Sequence, residues 1–377
     1  MVYTTKYTSP PKEGLALDTA ELNEVLVSLR NERYFLQSVS KRALPSERVS
    51  TCLRNKINKE TDVSVYQHRE SHKAFYGGLM VCGSVWSCPV CSAKVSERRR
   101  LELKLALDEH KKNGGQVAMM TLTFSHSYDD KLKDTMRKFT KAMTRFRSGK
   151  RYKSVMDDIQ SIGSIRAFEI TYGMNGFHPH VHILLFYEKK RLSLKRVEKE
   201  LFSLWRKACK ANELETKENY GLTLQDALKA KDYVTKWGLD QELTKSHVKK
   251  GKQGGMTPFD FLRKYGETEQ DWYLHLFQDY YFAVKGKRQL HWSKGLKEKF
   301  NLGEDKTDEE LAKEKTEKAD LLGTLEFYQW KMILKLDKRS EFLSWVEKIG
   351  LDFALEKIKM DLPSSEKQQI LQQTLFD

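Results

Sequence analysis

The spacing of hydrophobic residues predicts alternating strands and helices in the middle of the chain. QVAMMTLTF (116–124) is rich in β-forming residues and lies between the turn-forming segments NGG and SHSYDD. Large apolar residues then recur at intervals of three and four, as in an amphipathic helix: Met136, Phe139, Met143 and Phe146. SIRAFEITYG (164–173) and FHPHVHILLFY (177–187) read as two strands, and LSLKRVEKELFSLWRKACKAN (192–212) as another amphipathic helix. This order predicts an α+β fold with an antiparallel sheet covered by helices on one face.

The two central strands are expected to form a hairpin with one polar face. With Met174 and Asn175 as the central turn residues, the register pairs Thr171 with His178, Glu169 with His180, and Ala167 with His182. The other face receives four apolar residues that suit a helix-covered core: Phe168, Ile170, Val181 and Ile183. Imidazoles spaced two apart, with a carboxylate opposite, can bind one divalent cation and leave coordination positions open. A solvent-exposed polar face is the ordinary alternative, but three histidines facing one carboxylate favour a metal site.

A cluster of cysteines precedes this region and predicts a structural zinc site. Its four expected ligands are Cys52, Cys82, Cys88 and Cys91, of which the last two form a C-x-x-C turn. His68 and His72 are the alternatives to Cys52, the least certain ligand. Free cysteines and a redox C-x-x-C are the competing interpretations, and Pro89 within the turn favours the zinc knuckle.

The segment after the knuckle predicts a basic helix that contacts DNA. KVSERRRLELKLALDEHKK (94–112) has helical apolar spacing and begins with Arg98, Arg99 and Arg100. The whole chain carries a formal net charge of +15, so a polyanion is the expected partner. A solvated, lysine-rich surface that binds nothing is the alternative.

The N-terminal segment lacks a basic stretch leading into an apolar one, and no window holds the roughly eighteen apolar residues of a membrane span. We therefore expect a soluble, cytoplasmic protein with no membrane partner. Five cysteines in 377 residues do not suggest a disulfide scaffold, which again favours metal binding.

A candidate nucleophile lies downstream of the hairpin. LQDALKAKDYVTKWG (224–238) predicts a helix that carries Tyr233 and Lys236 on one face. A tyrosine hydroxyl attacks when an adjacent cation or a strongly polarised electrophile makes the reaction feasible, and Lys236 could supply that charge. On pattern alone a half-buried helical tyrosine is equally consistent. The competing tyrosines, none followed three residues later by lysine, are Tyr220, Tyr280 and Tyr281.

Three segments in this order, MMTLTF, GFHPHVHILLF and DYVTKW, resemble the motifs of rolling-circle replication initiators, which are His-hydrophobic-His (HUH) endonucleases. The family of small plasmids from Gram-positive bacteria is the most similar. VCGSVWSCPVCSAKVSERR and GKRQLHWSKGL are also similar to it, so the resemblance spans about residues 48–300. It implies an HUH endonuclease-like fold and a site-specific DNA endonuclease with nicking-closing (strand transferase) activity.

The resemblance implies a metal site and its ions. His180 and His182 would be ligands of Mn²⁺ or Mg²⁺, with Glu169 or His178 as the third, and the hairpin register favours Glu169. Zn²⁺ would occupy the cysteine site. The metal would polarise the scissile phosphate as a Lewis acid.

The resemblance also implies roles for the downstream helix. Tyr233 would attack DNA to give a 5′-phosphotyrosine link and a free 3′-OH primer, and Lys236 would orient the phosphate. The substrate would be a single-stranded or hairpin plasmid origin. No nucleotide-binding G-x-x-x-x-G-K-[ST] pattern is present, so a host helicase is expected to unwind DNA for a host polymerase.

One departure from the family leaves the terminating base open. The family often carries a glutamate one helical turn before the tyrosine, where this chain has Lys229. Asp226 and Asp232 are the nearest carboxylates, and of these Asp226 is expected to share the face of Tyr233. A single-tyrosine transposase or relaxase would share the chemistry. A non-catalytic zinc-containing DNA-binding regulator would share the cysteines and the charge, but not the convergent site.

The flanking segments complete the expected organisation. We expect an N-terminal helical leader (1–47), a zinc-knuckle module with the basic helix (48–112), the HUH endonuclease domain (113–300), and a charged linker with a helical C-terminal module (301–377). The last module has apolar residues at helical spacing: Phe327, Trp330, Ile333 and Leu334. It is interpreted either as a small solvated module or as a surface for replisome proteins or homo-oligomerisation.

Overall fold

The computed structural model describes residues 19–226, 255–313 and 318–363, together with residues 365 and 370. The chain divides into two compact units. The first comprises Met1–Cys91 and Asp308–Asp377, and the second comprises Ser92–Thr307. Among the described residues, no helix combines the length and apolar character that a bilayer span requires.

The described helices, in chain order, are α1 (Thr19–Ala43), α2 (Pro89–Lys112), α3 (Leu132–Ser148), α4 (Lys150–Asp158), α5 (Leu194–Lys210), α6 (Pro258–Thr268), α7 (Asp271–Val284), α8 (Leu296–Lys299), α9 (Asp308–Lys313), α10 (Phe327–Lys335), α11 (Arg339–Ile349) and α12 (Leu351–Met360), with a 3₁₀ turn at Arg48–Ser50. The described strands are β1 (Val63–His68), β2 (Ala74–Gly77), β3 (Gln116–Leu122), β4 (Ser161–Gly173), β5 (Gly176–Tyr187), β6 (Leu222–Asp226), β7 (Leu290–Trp292) and β8 (Ala319–Leu325).

The second unit contains a five-stranded antiparallel sheet in the order β6-β3-β5-β4-β7. The long β4–β5 hairpin is its centre, and Gly173 pairs with Gly176 around the turn. The pairs Thr171–His178, Glu169–His180 and Ala167–His182 confirm the predicted register. The α+β class is therefore confirmed, and the polar residues of the hairpin share one face of the sheet.

Helices α3 and α5 cover the opposite face. The Phe139 ring of α3 packs edge-on against Phe168 of β4, with centroids 6.0 Å apart, and against Trp205 of α5, with centroids 5.8 Å apart. The four residues that predicted the amphipathic helix are all buried: Met136, Phe139, Met143 and Phe146. This face is the apolar layer that the alternation on the strands predicted.

Coverage on only one face was too simple an expectation. The run ILLF of β5 is apolar on both faces, so this end of the sheet is buried on both sides. On the histidine face, Leu184 and Phe186 join a buried cluster with residues of α2 and α8, among them Leu103, Leu107 and Leu296. On the histidine face, the hairpin is therefore polar at one end, and at the other end it is apolar and covered by α2 and α8.

The predicted helix at 224–238 begins differently. Residues Leu222–Asp226 form strand β6, which pairs with β3 through Leu224 opposite Met120. Buried Leu222 and Leu224 alternate with Thr223, which is a strand pattern, and the Leu224 amide donates to the Glu198 carboxylate at 2.6 Å. Residues 227–254 lie outside the described residues.

The first unit is built on a three-stranded antiparallel sheet in the order β2-β1-β8. Helices α10, α11 and α12 confirm the helical C-terminal region, and their apolar residues share one core with the sheet. Buried Trp330 donates from its indole nitrogen to the Arg54 carbonyl at 2.8 Å, and the Tyr76 hydroxyl donates to the Arg339 carbonyl at 2.8 Å. Strand β8 was not predicted, because ADLLGTL follows a Lys/Glu-rich stretch and leads into helical spacing.

Candidate metal centres and the residues around them

Two groups of side chains in the described residues could hold a metal ion: Glu169 with His180 and His182, and Cys52 with Cys82, Cys88 and Cys91. The Glu/His/His group lies at the polar end of the β4–β5 hairpin. Oε2 of Glu169 is 3.0 Å from Nε2 of His180 and 3.1 Å from Nε2 of His182. One oxygen therefore faces two ring nitrogens.

The second hydrogen bonds of the imidazoles orient both rings. Nδ1 of His180 lies 3.2 Å from the His178 carbonyl oxygen, which can only accept, so Nδ1 carries the proton and Nε2 faces the carboxylate. Nδ1 of His182 lies 2.9 Å from the Thr121 hydroxyl, which β3 places opposite it. Such outer partners fix the ring orientation that a metal ligand needs.

The three groups change each other's ionisation. Burial raises the pKa of Glu169, but His180 and His182 outweigh it and hold that pKa well below its usual range. Burial lowers the pKa of His180, but Glu169 reverses the effect and the net pKa is raised. The carboxylate is therefore ionised at neutral pH, and a proton competes with a metal for His180.

The arrangement could hold one metal ion. The Glu169 oxygen and the two ring nitrogens all lie within 4.8 Å of one another. One carboxylate and two imidazoles suit a divalent cation and leave coordination positions open. The Glu169 side chain is 39% exposed, so the group is accessible from solvent.

His178 takes a different place from its two neighbours. Its Nδ1 lies 2.7 Å from Nε2 of His126, whose Nδ1 lies 2.9 Å from the Asn175 carbonyl. In the neutral pair, His126 donates to that carbonyl and His178 donates to His126, which leaves Nε2 of His178 as an acceptor beside Thr123 at 3.4 Å. Burial and the neighbouring imidazoles lower the pKa of His178 to about 4. The Glu/His/His group does not include it.

The four cysteine sulfurs form a second buried cluster, within the first unit. The sulfur atoms lie 3.5 Å apart for Cys52 and Cys91, 3.7 Å for Cys82 and Cys91, and 3.8 Å for Cys52 and Cys88. Four sulfurs at about 2.3 Å from a tetrahedral ion lie about 3.8 Å apart, so the cluster fits Zn²⁺. His68 and His72, the alternatives to Cys52, lie outside it.

The cysteine cluster also has the surroundings of a thiolate site. The amides of Cys82 and Ser84 donate to sulfurs of the cluster at 3.4 and 3.5 Å, and the Gln37 amide donates to Cys88 at 3.2 Å. Burial raises the pKa of Cys88, but hydrogen bonds from the other three thiols outweigh it and lower that pKa well below its usual range, whereas hydrogen bonds within the cluster raise the pKa of Cys82 and Cys91. Donors aimed at sulfur favour the deprotonated form that binds metal.

The predicted DNA-contacting arginines lie in α2 with unequal exposure. Arg99 is buried, at 8% exposure, whereas Arg98 and Arg100 are half-buried. Arg100 donates through Nε to Glu97 at 2.8 Å. Arg98 and Arg100 are thus the members of the patch with more exposed surface.

The predicted nucleophile and its lysine, Tyr233 and Lys236, lie outside the described residues, as do Lys229 and Asp232. Asp226 is exposed at the end of β6, so the helical face assumed for it is replaced by a strand position. Of the competing tyrosines, Tyr280 and Tyr281 are buried in α7, whereas Tyr220 is 75% exposed. His126 and Thr121 are the site residues that the sequence did not single out.

Comparison with known proteins places these groups in context. A family model described as "Replication protein" matches residues 80–338. The curated "Protein rep" of Streptomyces lividans is 28% identical over 294 residues, which cover 60% of this chain and 64% of that protein. The "Neomycin resistance protein" of Streptomyces cyanogenus is 33% identical over 133 residues, which cover 29% of this chain and 30% of that protein. The chain thus spans less than two thirds of the length of these relatives, and no solved structure gives a significant match.

Proposed function

The chain belongs to the replication protein family, and on that basis we propose that it initiates rolling-circle replication of a plasmid by nicking one strand of the origin. The observation that carries this proposal is the convergence of Glu169, His180 and His182 on one point of the β4–β5 hairpin. A purely DNA-binding regulator has no use for such an arrangement. An accessible group of one carboxylate and two imidazoles is suited to metal-assisted phosphoryl transfer.

In the proposed reaction, Glu169, His180 and His182 hold a divalent cation, Mn²⁺ or Mg²⁺. When bound, that cation supplies Lewis-acid polarisation of the scissile phosphate. His178 lies beside these ligands as a neutral hydrogen-bonding group, because its pKa is lowered to about 4. The residues of the hairpin therefore position the phosphate while the nucleophile comes from elsewhere in the chain.

The proposed nucleophile is Tyr233. Its hydroxyl oxygen forms a bond to phosphorus, the bond from phosphorus to the 3′ oxygen breaks, and that oxygen takes up a proton to become a free 3′-OH primer. The DNA 5′ end remains on the tyrosine until a later transfer rejoins the strand or ends replication. Lys236 would orient the phosphate. Asp226, at the end of β6, is the carboxylate proposed to accept the proton in the step that ends the reaction.

The remaining features of the proposal concern binding and partners. The net charge of +15 and the half-buried Arg98 and Arg100 of α2 support binding to the origin as single-stranded or hairpin DNA. Zn²⁺ in the cysteine cluster would stabilise the first unit. We further propose that the protein acts in the cytoplasm with a host helicase and polymerase, and that it can form a homo-oligomer.

A nicking assay tests this function. Full-length protein is incubated with supercoiled plasmid and with single-stranded oligonucleotides, in EDTA and with Mn²⁺ or Mg²⁺. Nicking is expected with metal and not in EDTA, and Glu169→Gln is expected to lose at least about 100-fold in rate. Glu188→Gln is the matched control, since Glu188 is exposed just after β5. Cleavage that survives chelation, or equal rates in both variants, would contradict the proposal.

The same assay separates the related functions. A replication initiator is expected to nick its own plasmid origin, whereas a transposase or relaxase would prefer transposon ends or a transfer origin. DNA binding without any cleavage would identify a non-catalytic regulator.

A further inference from the structure

A second cluster of polar groups lies on the sheet face opposite the Glu/His/His group. Arg166 of β4 is two residues from Phe168, whose ring packs against Phe139 of α3, so Arg166 points to the face that α3 covers. Across the sheet it is paired with Ile183 of β5 and with His291 of β7. The side chain of Arg166 therefore lies on a largely apolar face of the sheet, next to His291.

A second guanidinium reaches the same region from the end of α3. Arg147 lies in the last turn of that helix, and its charge acts on the hydroxyl of Tyr152. Tyr152 is buried, and its ring packs against Phe146 with centroids 4.8 Å apart. Burial raises the pKa of Tyr152, while Arg147 and then Arg166 lower it, so both cations act on this one hydroxyl.

Within the part of the chain that the structure describes, these cations have no carboxylate of their own. The Arg166 side chain makes no hydrogen bond or ion pair among those residues, and Nε of both Arg147 and Arg166 is buried without a partner. Asp305 is the carboxylate that acts on His291, but it already pairs with Arg288 at 2.9 Å.

Arg166 nevertheless keeps its charge at neutral pH. Burial and then the nearby Arg147 lower the pKa of Arg166 to about 10, which is still well above 7. The pKa of His291 is also lowered, by burial and then by the surrounding arginines. Two cations that repel each other in a partly buried place are unfavourable unless an anion joins them.

We propose that Arg147, Arg166 and His291 form a binding site for a phosphate group. A guanidinium presents paired N–H donors that match phosphate oxygens, and the neighbouring Tyr152 adds a hydroxyl. The phosphate is supplied either by a DNA backbone or by free inorganic phosphate. In the first case the protein holds DNA at a point separate from the Glu/His/His group, on the other side of the sheet.

The first experiment measures thermal unfolding of full-length protein at pH 7.5 in sodium phosphate and in sodium chloride of equal ionic strength. The wild-type melting temperature is expected to be higher in phosphate. Arg166→Met should melt no lower than the wild type in chloride, because charge repulsion is removed, and should lose the phosphate-specific increment. Arg145→Met is the matched control, since Arg145 is exposed on the same helix and should keep the increment.

A merely structural role of the arginines would give a different result. Arg147→Met provides a second variant at the half-buried helix end, so the test does not depend on Arg166 alone. General stabilisation by phosphate through exclusion from the surface would act on every variant alike. Equal increments in the wild type, both cluster variants and the control would therefore overturn the proposal.

The second experiment distinguishes the two sources of phosphate and requires no cleavage, so it is independent of the nicking assay. Binding to a fluorescent single-stranded oligonucleotide is measured by anisotropy in EDTA at several salt concentrations. If the phosphate belongs to DNA, Arg166→Met should reduce the slope of log K against log[salt] by about 0.7 relative to Arg145→Met. An unchanged slope with a lost phosphate increment would assign the site to free phosphate.

Discussion

The third ligand of the Glu/His/His group can be identified by two matched substitutions. Glu169→Gln removes the charge that faces both ring nitrogens, so Mn²⁺ affinity should fall by at least about 10-fold. His178→Asn should keep the affinity within a few-fold, because His178 hydrogen-bonds to His126 and lies outside the group. Isothermal titration calorimetry measures both, and the opposite order of losses would make His178 the ligand.

The Thr121 hydroxyl should strengthen metal binding by a measurable amount. It lies 2.9 Å from Nδ1 of His182 and fixes the orientation of that ring. Thr121→Val is expected to weaken Mn²⁺ binding about 10-fold to 100-fold, the range for lost outer partners of a metal ligand. Thr144→Val on α3 is the control, since its hydroxyl bonds only the Thr140 carbonyl. Equal affinities of the two variants would exclude this role.

At the residue scale, alternation on the hairpin was enough to place Glu169 opposite His180, because the strand period and a two-residue turn fix the register. The same reasoning could not reach His126. It lies in the loop after β3, where no period relates sequence to direction, and it meets His178 only because that loop folds back to the turn at Asn175. Thr121 lies in β3, a strand that the sequence predicted. The sequence did not specify that β3 pairs with β5, so it did not place Thr121 next to His182.

The turn of the β4–β5 hairpin should depend on one glycine. Gly176 has φ +79°, and a Cβ there would lie 3.1 Å from the Tyr128 Cα. Gly176→Ala is expected to destabilise the protein by about 1–2 kcal/mol, the cost of a left-handed conformation, with crowding added. Gly173→Ala is the control, since a Cβ there meets nothing within 4 Å and should cost less than about 0.5 kcal/mol. Urea unfolding followed by tryptophan fluorescence compares them, and similar losses would refute this view of the turn.

The cysteine cluster predicts how the thiols react. Burial raises the pKa of Cys209, in α5, to about 12, so at pH 8 roughly one molecule in 10,000 carries its thiolate. With zinc bound, iodoacetamide should label none of the five cysteines quickly. After chelation, the four cluster cysteines should react and Cys209 should remain slow. Mass spectrometry counts the labels, and fast labelling of the cluster before chelation would argue against a closed zinc site.

At the element scale, long amphipathic patterns predicted the structure best. Met136, Phe139 and Met143 predicted α3, and it is present with that face buried. Short strands were harder, because β6 at Leu222–Asp226 has only five residues and its polar end was read as the start of a helix. The sequence could not show that Leu224 would pair with Met120, which requires the tertiary fold.

At the scale of the whole molecule, segments that are distant in the sequence form one compact unit. Residues Met1–Cys91 and Asp308–Asp377 form one unit, in which β8 pairs with β1 although about 250 residues separate them in sequence. Local sequence patterns carry no information on such a pairing. Domain boundaries predicted from consecutive segments therefore cannot place β1 and β8 together. The four-part division drawn from the sequence stays a prediction.

The whole protein should form a covalent DNA adduct through Tyr233. Incubated with Mn²⁺ and a labelled origin strand, the wild type is expected to give a protein–DNA band on a denaturing gel, mapped by peptide mass spectrometry to Tyr233. Tyr233→Phe should bind the strand with unchanged affinity and form no adduct, while Tyr220→Phe, at the exposed competing tyrosine, should form it normally. An adduct that persists in Tyr233→Phe, or that maps to Tyr220, would contradict the proposed mechanism.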